Sequence, residues 1–187
     1  MPNSPLTVFV VDDDEAIRIS LSRALDKRGY RVEAHASAAD FLAVYAAGRP
    51  GCLVLDYGIP GMNGLELQRH LNAIGSDLPI IFITGHGGVP ESVQAIKAGA
   101  IDFLEKPFRQ AALIERIDLA LDIARSQLAA RAQGQRQKEM FDRLTAREME
   151  IVERIMGRPS ETSSKEIALW LGISPRTVDH HRARILE

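Results

Sequence analysis

Five residues with chemistry to offer fall at the ends of apolar runs. Asp12 and Asp13 follow TVFVV, Asp56 ends CLVLD, Thr84 closes IIFIT, and Lys106 follows IDFLE. Carboxylates held together repel by about 4 kcal/mol per close pair at an effective dielectric near 20. Such a cluster asks for a divalent cation, and all-oxygen ligands in a shallow, wet site suit Mg²⁺, which keeps its own waters. Lys106 adds a compact cation that pairs with a carboxylate or a phosphoryl oxygen, and Thr84 adds a hydroxyl donor. Together these parts describe phosphoryl transfer to a carboxylate. Asp56 is the nucleophile, while metal and lysine neutralise the charge on the equatorial oxygens. Any one acid could equally be a helix cap or a solvated loop charge. That plainer reading is preferred for Asp14 and Glu15, which begin a helix and suit its dipole.

The elements that must position these residues alternate regularly. Strand-type runs are Thr7 to Val11, Arg31 to Ala34, Cys52 to Leu55, Ile80 to Ile83 and Ile101 to Leu104. Between them, apolar residues recur at helical spacing: Ile17, Leu21 and Leu25; Phe41, Leu42 and Tyr45; Leu65, Leu67 and Leu71; Val93 and Ile96; Leu113, Ile117 and Leu121. Gly29, Gly48, Gly75 and Gly99 fall where these helices should stop. Five strands alternating with five helices predict an α/β fold, a doubly wound (βα)5 parallel sheet. Runs that are apolar throughout fit a sheet covered on both faces. In such a sheet ligands bind beyond the carboxyl ends of the strands, at the switch point in strand order, where the five residues would converge.

Beyond Gln110 the apolar spacing continues through Ala124 and Leu128, with no Gly or Pro before Gly134, and RAQGQRQKEM then turns polar. Two readings stay open: a fifth helix followed by a solvated connector, or one long helix whose extra stripe pairs with a partner. From Phe141 the pattern is helical with no strands. Thr145 and Glu148 form a capping-box pair, Gly172 closes a helix, and Ser174 caps the next with Pro175 at its first position. The expected domains are 1–124, a helical linker at 125–140, and a small all-α helix-turn-helix domain at 141–187.

The 187 residues carry a net charge of −2, which excludes a generally basic nucleic-acid glove, so any DNA contact must be local. A single cysteine, Cys52, excludes an internal disulfide framework and fits a packed thiol in a reducing compartment. The N-terminal MPNSPLTVFVVDDD has neither a basic leader nor an apolar span. The expected location is cytoplasmic, with no membrane partner.

VVDDDE, LVLDYGIPGMNGLEL and IFITGHGGVPESVQAIKAGAIDFLEKPF resemble the receiver domain of bacterial two-component response regulators, of the FixJ-type subgroup. The resemblance runs from about Thr7 to Leu121. It implies that Asp56 accepts a phosphoryl group from a sensor histidine kinase. It implies a Mg²⁺ site of Asp12, Asp13, Asp56 and the Gly58 carbonyl, with Thr84 and Lys106 contacting the phosphoryl group. The bond between Lys106 and Pro107 would be cis. Thr84 and Phe103 would form the switch pair, the ring following the hydroxyl toward the phosphoryl group. Gly58 and His86 lie two residues beyond Asp56 and Thr84, where side chains flank the attacking water. They are candidates for tuning the lifetime of the phosphoaspartate; the alternative is that they only shape loops.

SKEIALWLGISPRTVDHHRARILE looks like the helix-turn-helix of the LuxR/NarL class, and LTAREMEIV resembles its first helix. Ile167, Leu171, Ile173, Val178 and Ile185 make a plausible core. With Val178 taken as the buried direction at about 100° per residue, Arg176, His180, Ala183 and Arg184 fall on the opposite side. That face suits a major groove. The resemblance places Asp179, His180 and Ala183 at base-facing positions, with Lys165, Arg176 and Thr177 near the backbone. The loop between Gly157 and Lys165 is longer than the pattern. The chain ends at Glu187 inside the recognition helix, ahead of the closing helix the resemblance implies, and the expectation is a sequence cut short.

The function expected is a phosphorylation-controlled DNA-binding regulator, not a turnover enzyme. It would form a phosphorylation-dependent homodimer on promoter DNA, with RNA polymerase a further partner. One alternative is an interaction protein that does not bind DNA. The other is an aspartate-nucleophile, Mg²⁺-dependent phosphatase, against which stand Gly58, where a second acid would be needed, and the lack of a substrate cap.

Overall fold

The computed structural model describes residues 6–85, 89–158 and 162–185. In chain order its elements are β1 (Thr7–Val11), α1 (Glu15–Asp26), β2 (Arg31–His35), α2 (Ala38–Val44), β3 (Gly51–Asp56), α3 (Gly64–Ala73), β4 (Ile80–Thr84), α4 (Val89–Lys97), β5 (Asp102–Glu105), α5 (Gln110–Asp142), α6 (Ala146–Gly157), α7 (Ser164–Leu171) and α8 (Pro175–Ile185). Two compact units divide the chain, Met1–Ala129 and Ala130–Glu187.

In the first unit the five strands form one parallel sheet in the order β2-β1-β3-β4-β5. Every residue of β1, β3 and β4 is buried, as continuous apolar runs in a doubly covered sheet require. Strand alternation sorts their side chains into two cores. Val8, Val10, Cys52, Val54, Ile81 and Ile83 pack with Leu21 and Leu25 of α1 and Leu113, Ile117 and Leu121 of α5. Phe9, Val11, Leu53, Leu55 and Phe82 pack with Phe41 of α2, Leu67 and Leu71 of α3 and Ala95 of α4. Cys52 is fully buried, and its thiol pKa is pushed up to about 12 by burial.

Two glycines set the sheet's upper and lower limits. A Cβ at Gly51 would lie 2.0 Å from the carbonyl oxygen of Thr7, so only glycine lets β3 start beside β1. A Cβ at Gly64 would meet the Asp56 carbonyl oxygen at 2.7 Å and the Phe82 ring at 2.8 Å, so α3 begins hard against the end of β3. The Asn63–Glu66 capping box then fixes that helix start.

Several boundaries shift by a residue from the periodicity: β2 ends at His35, β3 spans Gly51–Asp56 and β4 ends at Thr84. β5 starts at Asp102 and ends at Glu105, one residue later than the apolar run. Ile101 instead donates its N–H to Ile80 at the sheet's entry, and half-exposed Asp102 pairs with Arg116 of α5. α2 ends at Val44, yet Tyr45 still stacks on Phe41 at 4.9 Å between ring centroids. Of the two readings left open beyond Gln110, one long helix is what forms: α5 runs unbroken through 125–140 and past Gly134. Its residues Leu113, Ile117, Ala120, Leu121 and Ala124 are buried, whereas Met140 and Phe141 are exposed.

In the second unit Ile151, Ile167, Ala168 and Val178 form a small core, with Ile155, Leu171, Ile173 and Ile185 packed against it. Capping boxes begin α6 (Thr145 with Glu148) and α7 (Ser163 with Glu166). Gly172, with φ of 66°, ends α7 in the left-handed conformation. Ser174 Oγ then accepts the Thr177 N–H to cap α8.

Gly134 has open space around its Cβ position. Gly134→Ala should stabilise the α5 helix by about 1 kcal/mol, read as a rise in its melting midpoint by far-UV circular dichroism. Gly134→Pro should lower the helical signal; an unchanged signal in both variants would contradict a continuous helix.

Candidate functional site

Because β1 and β3 are neighbours whose chain continuations diverge, their carboxyl ends open at the switch point of the sheet. Asp12, fully buried, leaves β1 there, and Asp56, 8% exposed, ends β3. Lys106 arrives from β5, held by its N–H to the Thr84 carbonyl at 2.7 Å, and the Lys106–Pro107 bond is cis. Its Nζ donates to Asp12 Oδ2 at 2.9 Å and to Asp56 Oδ2 at 2.6 Å. The remaining oxygens are held too. Asp12 Oδ1 accepts the Asp14 N–H, and Asp56 Oδ1 accepts the Gly58 N–H, both at 2.9 Å.

Burial makes charge on Asp12 costly and pushes its pKa above the usual carboxylate value, against the hydrogen bonds from Lys106 and the Asp14 N–H. Burial also opposes charge on Lys106, but the hydrogen bonds to Asp56 and Asp12 outweigh it and its pKa is raised. Asp13 is exposed, and one carboxylate oxygen from each of Asp12, Asp13 and Asp56 lies within 4.8 Å of the others. This donor set, all oxygen with one acid facing solvent, fits a hard divalent cation that retains waters.

Thr84 is buried at the end of β4 and shares the α3-facing side of the sheet with Phe82 and Phe103. Phe103 is half-buried, its ring centroid 6.4 Å from both Phe82 and Tyr57. Gly58 has a negative φ, and among the described residues a Cβ there would touch only Asp56 Oδ1, at 3.8 Å. His86 lies outside the described residues. Asp14 caps α1, accepting the N–H groups of Ala16 and Ile17, as its sequence position suggests.

Arg18 is a participant that sequence spacing did not reveal. From α1 its Nη1 donates to the Asp12 carbonyl at 2.7 Å, tying the acidic loop to the helix that follows it. Its only sequence trace is a six-residue offset from Asp12 that matches no motif.

On the second unit Lys165, Arg176, Thr177, Asp179, His180, Ala183 and Arg184 are all exposed, while Val178 is fully buried. The geometry nevertheless divides them. Asp179 accepts a hydrogen bond from Ser164 Oγ of α7, and Thr177 Oγ1 pairs with Ser174 Oγ at 2.8 Å. Arg184, in the groove-facing set read from the helical wheel, also reaches toward α6. Its Nε lies 3.6 Å from Oε1 of buried Glu148, because the long side chain can fold back toward α6 from an exposed Cα. Arg176, His180 and Ala183 have exposed side chains on α8.

Residues 8–118 match the family described as response regulator receiver domain, and residues 142–187 match bacterial regulatory proteins of the luxR family. The chain is 43% identical to the transcriptional regulatory protein FixJ of Azorhizobium caulinodans, across all of this chain and 86% of that protein. It is 38% identical to the response regulator protein TodT of Pseudomonas putida, across all of this chain and 81% of that one. Among solved structures it is similar to response regulator StyR, with a TM-score of 0.89 and 41% identity over 98% of this chain and 91% of that one.

Two measurements check the electrostatics. Lys106→Met should lower stability without metal by about 1–3 kcal/mol, since it leaves two carboxylates uncompensated. Added Mg²⁺ should restore part of that loss in urea titrations and bind the variant more tightly by calorimetry. In the second unit, hydrogen bonds from the Thr145 backbone and hydroxyl hold Glu148 at a pKa of about 2, below its ordinary 4.5. Its charge therefore stabilises the fold above pH 4.5, and that contribution is lost as pH falls toward 2. The stability difference between the native chain and Glu148→Gln should shrink across that window.

Proposed function

The chain belongs to the response regulators, with a receiver domain joined to a LuxR-family domain, and from that premise we propose that phosphorylation of Asp56 controls its action on transcription. The observation that carries the reading is Lys106 Nζ bridging Asp12 and Asp56 at the sheet's switch point. The Asp56 carboxylate attacks the phosphorus of a phosphohistidine on a sensor histidine kinase. A P–O bond forms as the P–N bond breaks, and the imidazole leaves. Asp12, Asp13, Asp56 and the Gly58 carbonyl hold Mg²⁺, which when bound offsets the charge of the phosphoryl oxygens. Lys106 turns from the carboxylate pair toward a phosphoryl oxygen, and the Thr84 hydroxyl donates to another. Phe103, half-buried beside Phe82, follows Thr84 inward and alters the surface of α4, β5 and α5.

On the output side Lys165, Arg176 and Thr177 meet the DNA backbone, and Asp179, His180 and Ala183 face the bases. The domain limits that follow are 1–124 for the receiver, 125–140 for the helical linker and 141–187 for the DNA-binding module. Phosphorylation promotes a homodimer, placing two recognition helices on paired half-sites of a promoter where RNA polymerase is engaged. Among the described residues no helix is long and apolar enough to cross a membrane, and the proposed place of action is the cytoplasm.

The test compares the native chain with Asp56→Asn, with and without acetyl phosphate and Mg²⁺. The native chain should gain one phosphoryl group by mass spectrometry, shift toward a dimer and bind promoter DNA more tightly. Asp56→Asn should do none of these. A native chain that takes up no phosphoryl group would overturn the reading.

A further inference from the structure

Recognition helix α8 is weakly fixed by apolar packing. Val178 is its one fully buried residue among those described, with Ile185 partly buried beyond it. Its remaining ties are polar. Asp179 accepts from Ser164 of α7, and Arg182 Nη1 donates to the Thr162 carbonyl at 2.8 Å, both on the α7 side. On the α6 side the tie is a carboxylate. Glu148 is 2% exposed, and its Oε2 accepts the Thr145 N–H at 2.9 Å and the Thr145 hydroxyl at 2.7 Å. Its other oxygen, Oε1, is buried, has no hydrogen-bond partner and points at α8. Arg184 Nε lies 3.6 Å from it and His181 Nδ1 lies 3.5 Å from it.

A buried carboxylate oxygen without a hydrogen bond is tolerated where a cation faces it. Arg184 is a permanent cation there, whereas His181 is one only when protonated. We propose that Glu148 is a positioning residue for DNA reading, and that Arg184 serves as its tether and not as a contact to the duplex. The capping box fixes Oε2 on α6, so Oε1 is a stationary charge that sets the rotation of α8 about its axis. That rotation decides whether His180 and Ala183 meet base edges. Asp179, His180 and Ala183 then remain as the reading set, and Glu148 selects sequence without touching DNA.

This inference rests on the DNA-binding reading, so the experiment separates the two. A duplex selected by the native full-length chain from a random-sequence pool serves as the probe. Glu148→Gln keeps an acceptor for Thr145 and removes the charge; Arg184→Gln alters an exposed side chain and leaves the core intact. Each variant should lose at least about tenfold in affinity for the selected duplex, a typical scale for disturbing one specific base contact. The slope of log affinity against log salt should stay at the native value, and the double variant should lose no more than either single one. In the free chain, the two substitutions should also be non-additive in thermal stability. A salt slope shallower by about 1 in Arg184→Gln would mark a lost phosphate contact and overturn the proposal. Additive losses, or native affinity in Glu148→Gln, would overturn it as well. Failure of the native chain to retain any duplex would sink the DNA-binding reading and this inference with it, and is told apart because the variants play no part in that result.

Discussion

The receiver unit is organised around one ammonium group placed between two carboxylates. Asp12, Asp56 and Lys106 are far apart in sequence, and no local motif could bring them together. A parallel sheet ordered β2-β1-β3-β4-β5 puts the ends of β1 and β3 side by side, but leaves β5 two strands away from β3. Only a long, unbranched side chain spans that gap, which is why a lysine is needed there. Asp12 is fully buried and would be difficult to keep charged alone. The ammonium makes its charge tolerable while leaving room beside Asp13, the exposed acid of the three.

That arrangement demands a rigid frame, since hydrogen bonds of 2.6 and 2.9 Å leave little slack. Rigidity comes from two dry cores on opposite faces of the sheet and from close approaches that side chains would forbid. Gly51 lets β3 start against β1, and Gly64 lets α3 start against the end of β3. Arg18 closes the ring by fastening the Asp12 carbonyl to α1. The second unit solves a similar problem with less apolar material. Its core is small, so capping boxes, a serine–aspartate bond and the buried Glu148 hold its helices.

Much of this was legible in the sequence because the sheet writes its burial directly into composition. VFVV, CLVL and IIFI are apolar at every position, and the observed strand bounds depart from the sequence runs by a residue at most at either end. The five reactive residues were legible for the same reason, each standing where such a run stops. What remained hidden was set by tertiary contact. Asp102 joins β5 because Arg116 on α5 pairs with it, a partner no local pattern names. Around Gly134 the sequence left connector and long helix both open, because one glycine costs a helix only about 1 kcal/mol and local pattern does not decide. The approach of Arg184 to Glu148 was hidden too, because a helical wheel records where Cα atoms lie and not where a long side chain turns.

The loop after Asp56 then takes on a different meaning from the one its glycines first suggest. Gly61, with φ of 80°, sits where a side chain would be strained. Gly58 does not: its φ is negative, and a Cβ would meet only Asp56 Oδ1 at ordinary contact distance. Backbone geometry therefore gives no reason for glycine at position 58. Its consequence is chemical, because among the described residues a side chain there would meet only the Asp56 carboxylate. On the proposed phosphoryl-transfer reading, a larger residue at 58 would stand beside an acylphosphate on Asp56 while leaving the fold intact. On that reading residue 58, with His86, is the proposed place where the lifetime of the phosphoaspartate is tuned, the alternative being that both only shape their loops.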